Sequence, residues 1–178
     1  MDFTEKTIQR DVKYSGRIFT VTQDIVELPN GKTSTRDLVF HTGAVAVLVI
    51  RDGKMLLVRQ YRKPLEMHFL EIPAGKLDSK EEVPLEAAKR ELEEETGYTG
   101  GEWEEIMIVS ANPSIMDNLC HCFYARNVKK TNNQKLDDTE DIEVFLRSKE
   151  EVKKMLLRGE FIQSMMVAPL WKYFTIKD

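Results

Sequence analysis

The sequence predicts an α/β protein of the mixed α+β kind, with an antiparallel β extension over residues 1–42 leading into an α/β core over residues 43–178. Three observations point there. Alternating apolar runs are punctuated by Asn30-Gly31 and Asp52-Gly53, the dipeptides that favour tight hairpins. The stretch "PLEAAKRELEEET" consists of good helix formers throughout. Two further stretches near the C-terminal end place apolar residues at helical spacing. At 178 residues and 20.6 kDa the chain suits one domain with a small appendage. With 42% hydrophobic and 31% charged residues, and only 9 Gly and 6 Pro, it is not collagenous, disordered or of low complexity.

The elements follow in order. Residues 12–40 contain "IFTVTQDIVEL" and "TSTRDLVFH", separated by "PNGK", and read as two or three antiparallel strands. In "GAVAVLVIRDGKMLLVRQYR" two apolar runs flank Asp52-Gly53, and the first is dense enough for burial on both faces. The helix over residues 84–96 has Pro84 in its first turn and Gly97 just past its end as a C-cap. "EWEEIMIVSA", "LCHCFYARNV" and "IEVFLRS" read as strands, and "KEEVKKMLLRGEF" and "IQSMMVAPLWKYF" as helices broken at Gly159.

Several partners are disfavoured. The longest apolar run, "AVAVLVI", is far short of the ~20 residues that span a bilayer, and "MDFTEKTIQRD" lacks a signal-peptide core. A cytoplasmic protein with no membrane partner is expected. A net charge of −4 without a Lys/Arg cluster argues against a nucleic-acid surface. Cys120 and Cys122 stand two residues apart, with no further Cys or spaced His to complete a zinc site, and read as small apolar strand residues.

Chemistry concentrates between 81 and 95, where Glu81, Glu82, Glu86, Glu91, Glu93, Glu94 and Glu95 crowd one helix. Density alone is commoner on a charged outer face, with Lys89 and Arg90 as partners. Spacing adds more. Glu91 and Glu95 are i, i+4 and Glu91 and Glu94 i, i+3, so these carboxylates share a face and repel unless a cation lies between them. Hard divalent ions such as Mg²⁺ bind such oxygens and are commonly completed by substrate phosphates.

The order of residues in "GKLDSKEEVPLEAAKRELEEETGY" (75–98) resembles the signature of the Nudix family: Gly, five residues, Glu, seven residues, then Arg-Glu-apolar-any-Glu-Glu-any-Gly-apolar. From Glu82 to Tyr98 the match is complete; six residues rather than five separate Gly75 from Glu82, a lengthening of the loop before the helix. The resemblance implies the Nudix fold, an α/β/α sandwich with a mixed sheet. It implies Mg²⁺, with Mn²⁺ as a substitute, held by Glu91, Glu94, Glu95 and the backbone carbonyl of Ala74. Arg90 paired with Glu82 would orient the helix, bracketed by Gly75 and Gly97.

"GRIFTVTQDIVELPNGKTSTRDLVFHTGAVAVLVI", "LLVRQYRKP" and "EIPAGKLD" extend the resemblance to the ADP-ribose pyrophosphatase branch of nucleoside diphosphate sugar hydrolases. That branch implies a homodimer, to which the extension contributes while covering substrate. It also implies Arg36, Arg62 and Glu71 around the phosphates and terminal ribose, Arg being suited to bidentate phosphate contact. "DDTEDIEVF" is similar to the loop carrying the branch's late acidic residue, matched first by Glu140 and second by Asp138, as the base. Where the branch often reads Ser-Pro-Gly, this chain has Asn112-Pro113-Ser114, followed by Asp117-Asn118, a change that opens the choice of sugar. Tyr14, Phe19 and Phe40 are the base-stacking candidates, and Met107, Met116, Met165 and Met166 suit adaptable apolar contacts. The expected activity is metal-dependent cleavage of the pyrophosphate bond of ADP-ribose or a related nucleoside diphosphate sugar. Alternatives are a dinucleotide, FAD or NADH as substrate, or a nucleotide sensor that does not cleave.

Overall fold

Pro29, Asn30 and Gly31 form a three-residue loop closed by Leu28 and Lys32, with Gly31 at a φ of 76° that a side chain would resist. The loop joins strands β2 (Phe19–Glu27) and β3 (Thr33–His41), which pair antiparallel with β1 (Lys6–Ser15) in the order β1-β2-β3. The computed structural model describes residues 2–176. There are thus three strands in the extension, the first starting at Lys6, six residues before the stretch from which sequence alternation is readable.

The chain runs through Thr42 and Gly43 into β4 (Ala44–Arg51), the centre of the second sheet. Asp52 (φ 49°) and Gly53 (φ 72°) then make the two-residue turn to β5 (Lys54–Arg62). A single 3-10 turn, Lys63–Leu65, leads to β6 (Met67–Glu71) beside β5 and β7 (Ala74–Lys76) beside β4. Helix α1 (Pro84–Thr96) follows, then the short β8 (Tyr98–Thr99), β9 (Glu102–Ser110), β10 (Leu119–Arg126) and β11 (Lys129–Lys130), which pairs with β8. Finally come β12 (Ile142–Ser148), α2 (Lys149–Leu157) and α3 (Ser164–Ile176). The central order is β12-β5-β4-β10-β9, with β10 parallel to β4 and the other pairs antiparallel. This is the expected mixed sheet.

Strand alternation decides which helix covers which face. Val45, Val47 and Val49 meet Ala87, Ala88 and Leu92 of α1; Ala44, Ala46 and Leu48 meet Val152 and Leu156 of α2 and Met166 and Leu170 of α3. β4 is buried on both faces, as its sequence predicts, and the result is an α/β/α sandwich. Cys120 and Cys122 are buried free thiols on β10. Among the described residues no helix is long and apolar enough to cross a membrane. The three-stranded sheet is tied to the core where Val39 N–H donates to the Ile115 carbonyl (2.7 Å) and His41 N–H to Asp117 Oδ1 (2.8 Å).

Candidate active site

Helix α1 carries the crowded glutamates. Pro84 occupies its first turn, where a missing N–H costs nothing, and Gly97 ends it at φ 73°, its N–H donating to the Glu93 carbonyl. A Cβ on Gly97 would lie 2.1 Å from the Asn132 carbonyl oxygen. Ala87, Ala88 and Leu92 bury one face on the sheet, which turns Glu91 and Glu95 toward β7. There the glycine at 75 leaves room for the Glu91 carboxyl, whose carbon would lie 2.0 Å from a Cβ and would have to move aside for one. Ala74 N–H donates to Glu95 Oε2 at 3.1 Å.

Arg90 ties the loop to the helix. Its Nε donates to Glu82 Oε1 (3.3 Å), one terminal nitrogen to Glu91 (2.9 Å) and Glu94 (3.1 Å), and the other to the Lys76 carbonyl (3.2 Å). Glu82 in turn accepts from Asp78 N–H (2.6 Å). Its burial raises its pKa, but that hydrogen bond and Arg90 prevail and hold it below its usual value.

Glu91, Glu95, Ala74, Gly75, Arg62 and Glu140 line one cavity of about 490 Å³. Burial drives Glu95 well above the ordinary carboxyl range; the Ala74 N–H opposes this, while the charges of Glu91, Glu71 and Glu140 reinforce it. Glu91 is raised by burial, against Arg90 and with Glu94 and Glu140. Glu71 sits fully buried below, receiving Arg62 Nε (2.9 Å) and a terminal Arg62 nitrogen (2.5 Å), Gln60 Nε2 (3.0 Å) and Gln163 Nε2 (2.5 Å). Four donors on one carboxylate hold the Arg62 guanidinium in a fixed plane at the cavity wall. His41 also lines the cavity, its pKa lowered chiefly by burial; Asp117 opposes the shift and Lys76 adds to it.

Glu140 arrives on the loop between β11 and β12. That loop is pinned to the C-terminal end of α1: Gln134 Nε2 donates to the Glu95 carbonyl (2.7 Å), Lys135 N–H to that of Glu94 (2.8 Å) and Thr131 N–H to that of Gly97 (3.0 Å). Helix-end carbonyls that would lack partners thus anchor the loop base, while its tip stays exposed.

Not every expected residue is gathered here. Glu94 faces Arg90 at the outer edge of the helix, and Asp138 lies on the loop but is not among the residues lining the cavity, as its neighbours Asp137 and Thr139 are. Arg36 stands on β3, bonded to Glu5 (2.5 and 3.0 Å). Tyr14, Phe19 and Phe40 also lie outside this cavity; Tyr14 stacks at a tilt on Phe19, and Phe40 lies under Arg10. Met165 and Met166 line it, and Met107 packs on the core. Asn118, in the loop where the sequence departs from the branch, lines the cavity; sequence reasoning overlooked His41, Gln60 and Gln163, which come from three separate segments and carry no local pattern.

The donor set suits a hard cation. Among the described residues no three His, Cys, Asp or Glu side chains are already gathered around one point. Glu91, half-buried, and Glu95, buried, nevertheless stand one turn apart on one face and repel each other. The only cationic partner of Glu91 is Arg90 among the described contacts, and Glu95 has none. A divalent ion between them removes that repulsion.

Residues 40–165 match the NUDIX domain, and residues 5–39 match the nucleoside diphosphate sugar hydrolase N-terminal domain. A Bacillus subtilis (strain 168) protein named ADP-ribose pyrophosphatase is 44% identical over 176 residues, 98% of this chain and 94% of that one. A Bacillus methanolicus protein named methanol dehydrogenase activator is 41% identical over 93% of this chain and 90% of its own length. An ADP-ribose pyrophosphatase of Mycobacterium tuberculosis (strain ATCC 25618 / H37Rv) is 31% identical over 92% of this chain and 80% of its own. The fold superposes on a crystal structure of an ADP compounds hydrolase with a TM-score of 0.84, 21% identity, and coverage of 98% of this chain and 95% of that one.

Proposed function

This chain belongs to the Nudix family and is a Nudix hydrolase, and on that premise we propose that it cleaves the pyrophosphate bond of ADP-ribose, giving AMP and ribose 5-phosphate. The observation that carries this reading is the pair of half-buried Glu91 and buried Glu95 lining one cavity with Arg62 and Glu140. Nudix hydrolases generally use divalent metal ions. We assign Mg²⁺, with Mn²⁺ as a substitute, to Glu91, Glu95 and the Ala74 carbonyl, with Glu94 at the rim. When bound, such an ion neutralises charge on the phosphate oxygens and acidifies a water. Arg62, fixed by Glu71, binds a phosphate oxygen pair and orients it. Glu140, on the exposed tip of its loop, takes the proton from the attacking water, with Asp138 second in that role; displacement at phosphorus depends mainly on such positioning and charge.

We further propose a division of the chain near residue 42 and a homodimer formed through the N-terminal sheet. Ile8, Val12 and Tyr14 on the edge strand β1 are 55–56% exposed, an apolar display that a covering partner would bury. In this reading Arg36 serves the cavity of the second copy. The buried free thiols of Cys120 and Cys122 suit a reducing, cytoplasmic setting.

A second reading keeps the chemistry and replaces the substrate by a dinucleotide, FAD or NADH. The Asn112-Pro113-Ser114 sequence favours a third choice with the same chemistry, a nucleoside diphosphate sugar other than ADP-ribose. Turnover of ADP-ribose, ADP-glucose, GDP-mannose, NADH, diadenosine polyphosphate and FAD under one set of conditions decides: ADP-ribose is expected to show the highest kcat/KM. A dinucleotide cleaved faster would transfer the assignment.

A further inference from the structure

Strand register brings Arg62 and its partners together. Gln60 and Arg62 stand two apart on β5 and share a face, and Glu71 on β6 lies opposite Val58 on that same face. Each oxygen of the fully buried Glu71 carboxylate accepts two N–H groups. Oε1 takes Arg62 Nε (2.9 Å) and Gln163 Nε2 (2.5 Å); Oε2 takes Arg62 Nη2 (2.5 Å) and Gln60 Nε2 (3.0 Å). Among the described contacts Nη1 of Arg62 has no partner, so it is the nitrogen left for a ligand in the cavity.

Three of the four donors come from β5, and the fourth comes from far away. Gln163 is 92 residues from Glu71 in sequence, on the link between α2 and α3. Its backbone is fixed by α3, whose Met166 and Val167 N–H groups both donate to the Gln163 carbonyl (3.0 Å each), while Met166 and Leu170 bury that helix in the core. The amide therefore reaches Glu71 from a rigid base. Its grip matters because nothing within a glutamate fixes the plane of its carboxylate: the last torsion, next to an sp² carbon, is broad. Gln60 restrains one oxygen alone. Gln60 and Gln163 together restrain both, and the Arg62 fork that pairs with them is held in the same plane.

We propose that Gln163 is a positioning residue for the substrate's phosphates: acting through Glu71, it fixes the plane of the Arg62 guanidinium and so aims Nη1 at the pyrophosphate group. This rests on the hydrolase reading above and adds to it a side chain, supplied from outside the sheet, that governs how well Arg62 binds.

The test is a double-mutant comparison. Gln163→Met keeps the length of the side chain and removes the donor, and Arg62→Lys replaces the planar fork by an ammonium with no plane to hold. With ADP-ribose and Mg²⁺, Gln163→Met is expected to raise KM about 10-fold and to change kcat by less than about threefold, because Arg62 grips the phosphate before and during the reaction. In the Arg62→Lys background the same substitution is expected to change KM by less than about twofold. An equal rise in both backgrounds means that Gln163 acts independently of Arg62, by touching substrate or by holding the fold, and overturns the proposal; so does a loss confined to kcat. A second measurement needs no substrate. In ¹⁵N-labelled, ligand-free protein, the Nε–H signal that is missing from Arg62→Lys is expected to be protected from solvent exchange in wild type and to lose that protection in Gln163→Met. Unchanged protection overturns the proposal. If wild type leaves ADP-ribose uncleaved while this signal responds as expected, the substrate reading fails and the positioning role stands. Gln163→Asn, whose amide falls one methylene short of Glu71, is expected to reproduce both results should Gln163→Met fail to fold.

Discussion

The N-terminal sheet and the central sheet are both built of hydrogen-bonded strands, yet they are held together differently. Every residue of β1 is exposed, whereas six of the eight residues of β4 are buried. The central sheet is specified by apolar burial on two faces. The N-terminal sheet is specified by register and by one polar knot: the buried Asp24 carboxylate accepts Arg10 Nε (3.0 Å to each oxygen), a terminal Arg10 nitrogen (2.6 Å) and the Thr22 hydroxyl (2.9 Å), with Phe40 4.4 Å from the guanidinium carbon. A core of the first kind stands alone, while a sheet of the second kind leaves apolar side chains to be covered from outside. The active-site carboxylates belong to the first region, and the residues expected to complete substrate binding from the extension, Arg36 above all, belong to the second.

The largest effect expected is on the core side. Glu95→Gln should lower kcat by roughly 10² to 10³-fold, the range for losing one preorganised charge-stabilising group. Its melting temperature in chelator should hold or rise, because a buried charge is removed; ordinary turnover by this variant would sink the assignment of Glu95. Next is Gly75→Ala, whose Cβ would displace the Glu91 carboxyl from a 2.0 Å overlap. A shift of that size should cost about 10²-fold in kcat/KM, read by steady-state kinetics.

The two regions should respond oppositely to truncation. Leu48→Ala, at a fully buried site, should cost about 2–5 kcal/mol in denaturant unfolding. Val12→Ser should change the unfolding free energy of the folded chain by only about 0.5 kcal/mol. Sedimentation should nevertheless show the Val12→Ser dimer weakened, and a wild-type monomer at all concentrations would remove the covering partner from the account. The smallest effect is acid sensitivity. Asp24 is held below its usual carboxyl value by Arg10, opposed by burial and aided by Thr22. Its contribution is therefore fully present above the unfolded pKa of about 3.9 and is lost as pH falls below that toward the folded value. Hydrogen exchange at β1 and β2 should rise below about pH 4 before that of β4, and Asp24→Asn should flatten this dependence.

Much of the core was legible because its signals are local. Pro84 and Gly97 mark both ends of α1, Asp52-Gly53 marks its hairpin, and the spacing of Glu91 and Glu95 puts two carboxylates on one face. The start of β1 was not legible, since Thr7–Asp11 carries almost no apolar alternation on a strand exposed along its whole length. β6 and β7 escaped because five- and three-residue strands around Pro73 leave no periodicity. The placement of Gln60 and Gln163 could not be read either. Uncharged amides have no motif, and residues 60 and 163 meet at Glu71 only after the sheet and α3 are assembled.

The most direct test of the central claim is the rate of AMP release from ADP-ribose as Mg²⁺ is titrated into metal-free wild-type protein. The mutually repelling Glu91 and Glu95 predict a rate near zero in chelator that rises to saturation with Mg²⁺. Full turnover in chelator would contradict the account.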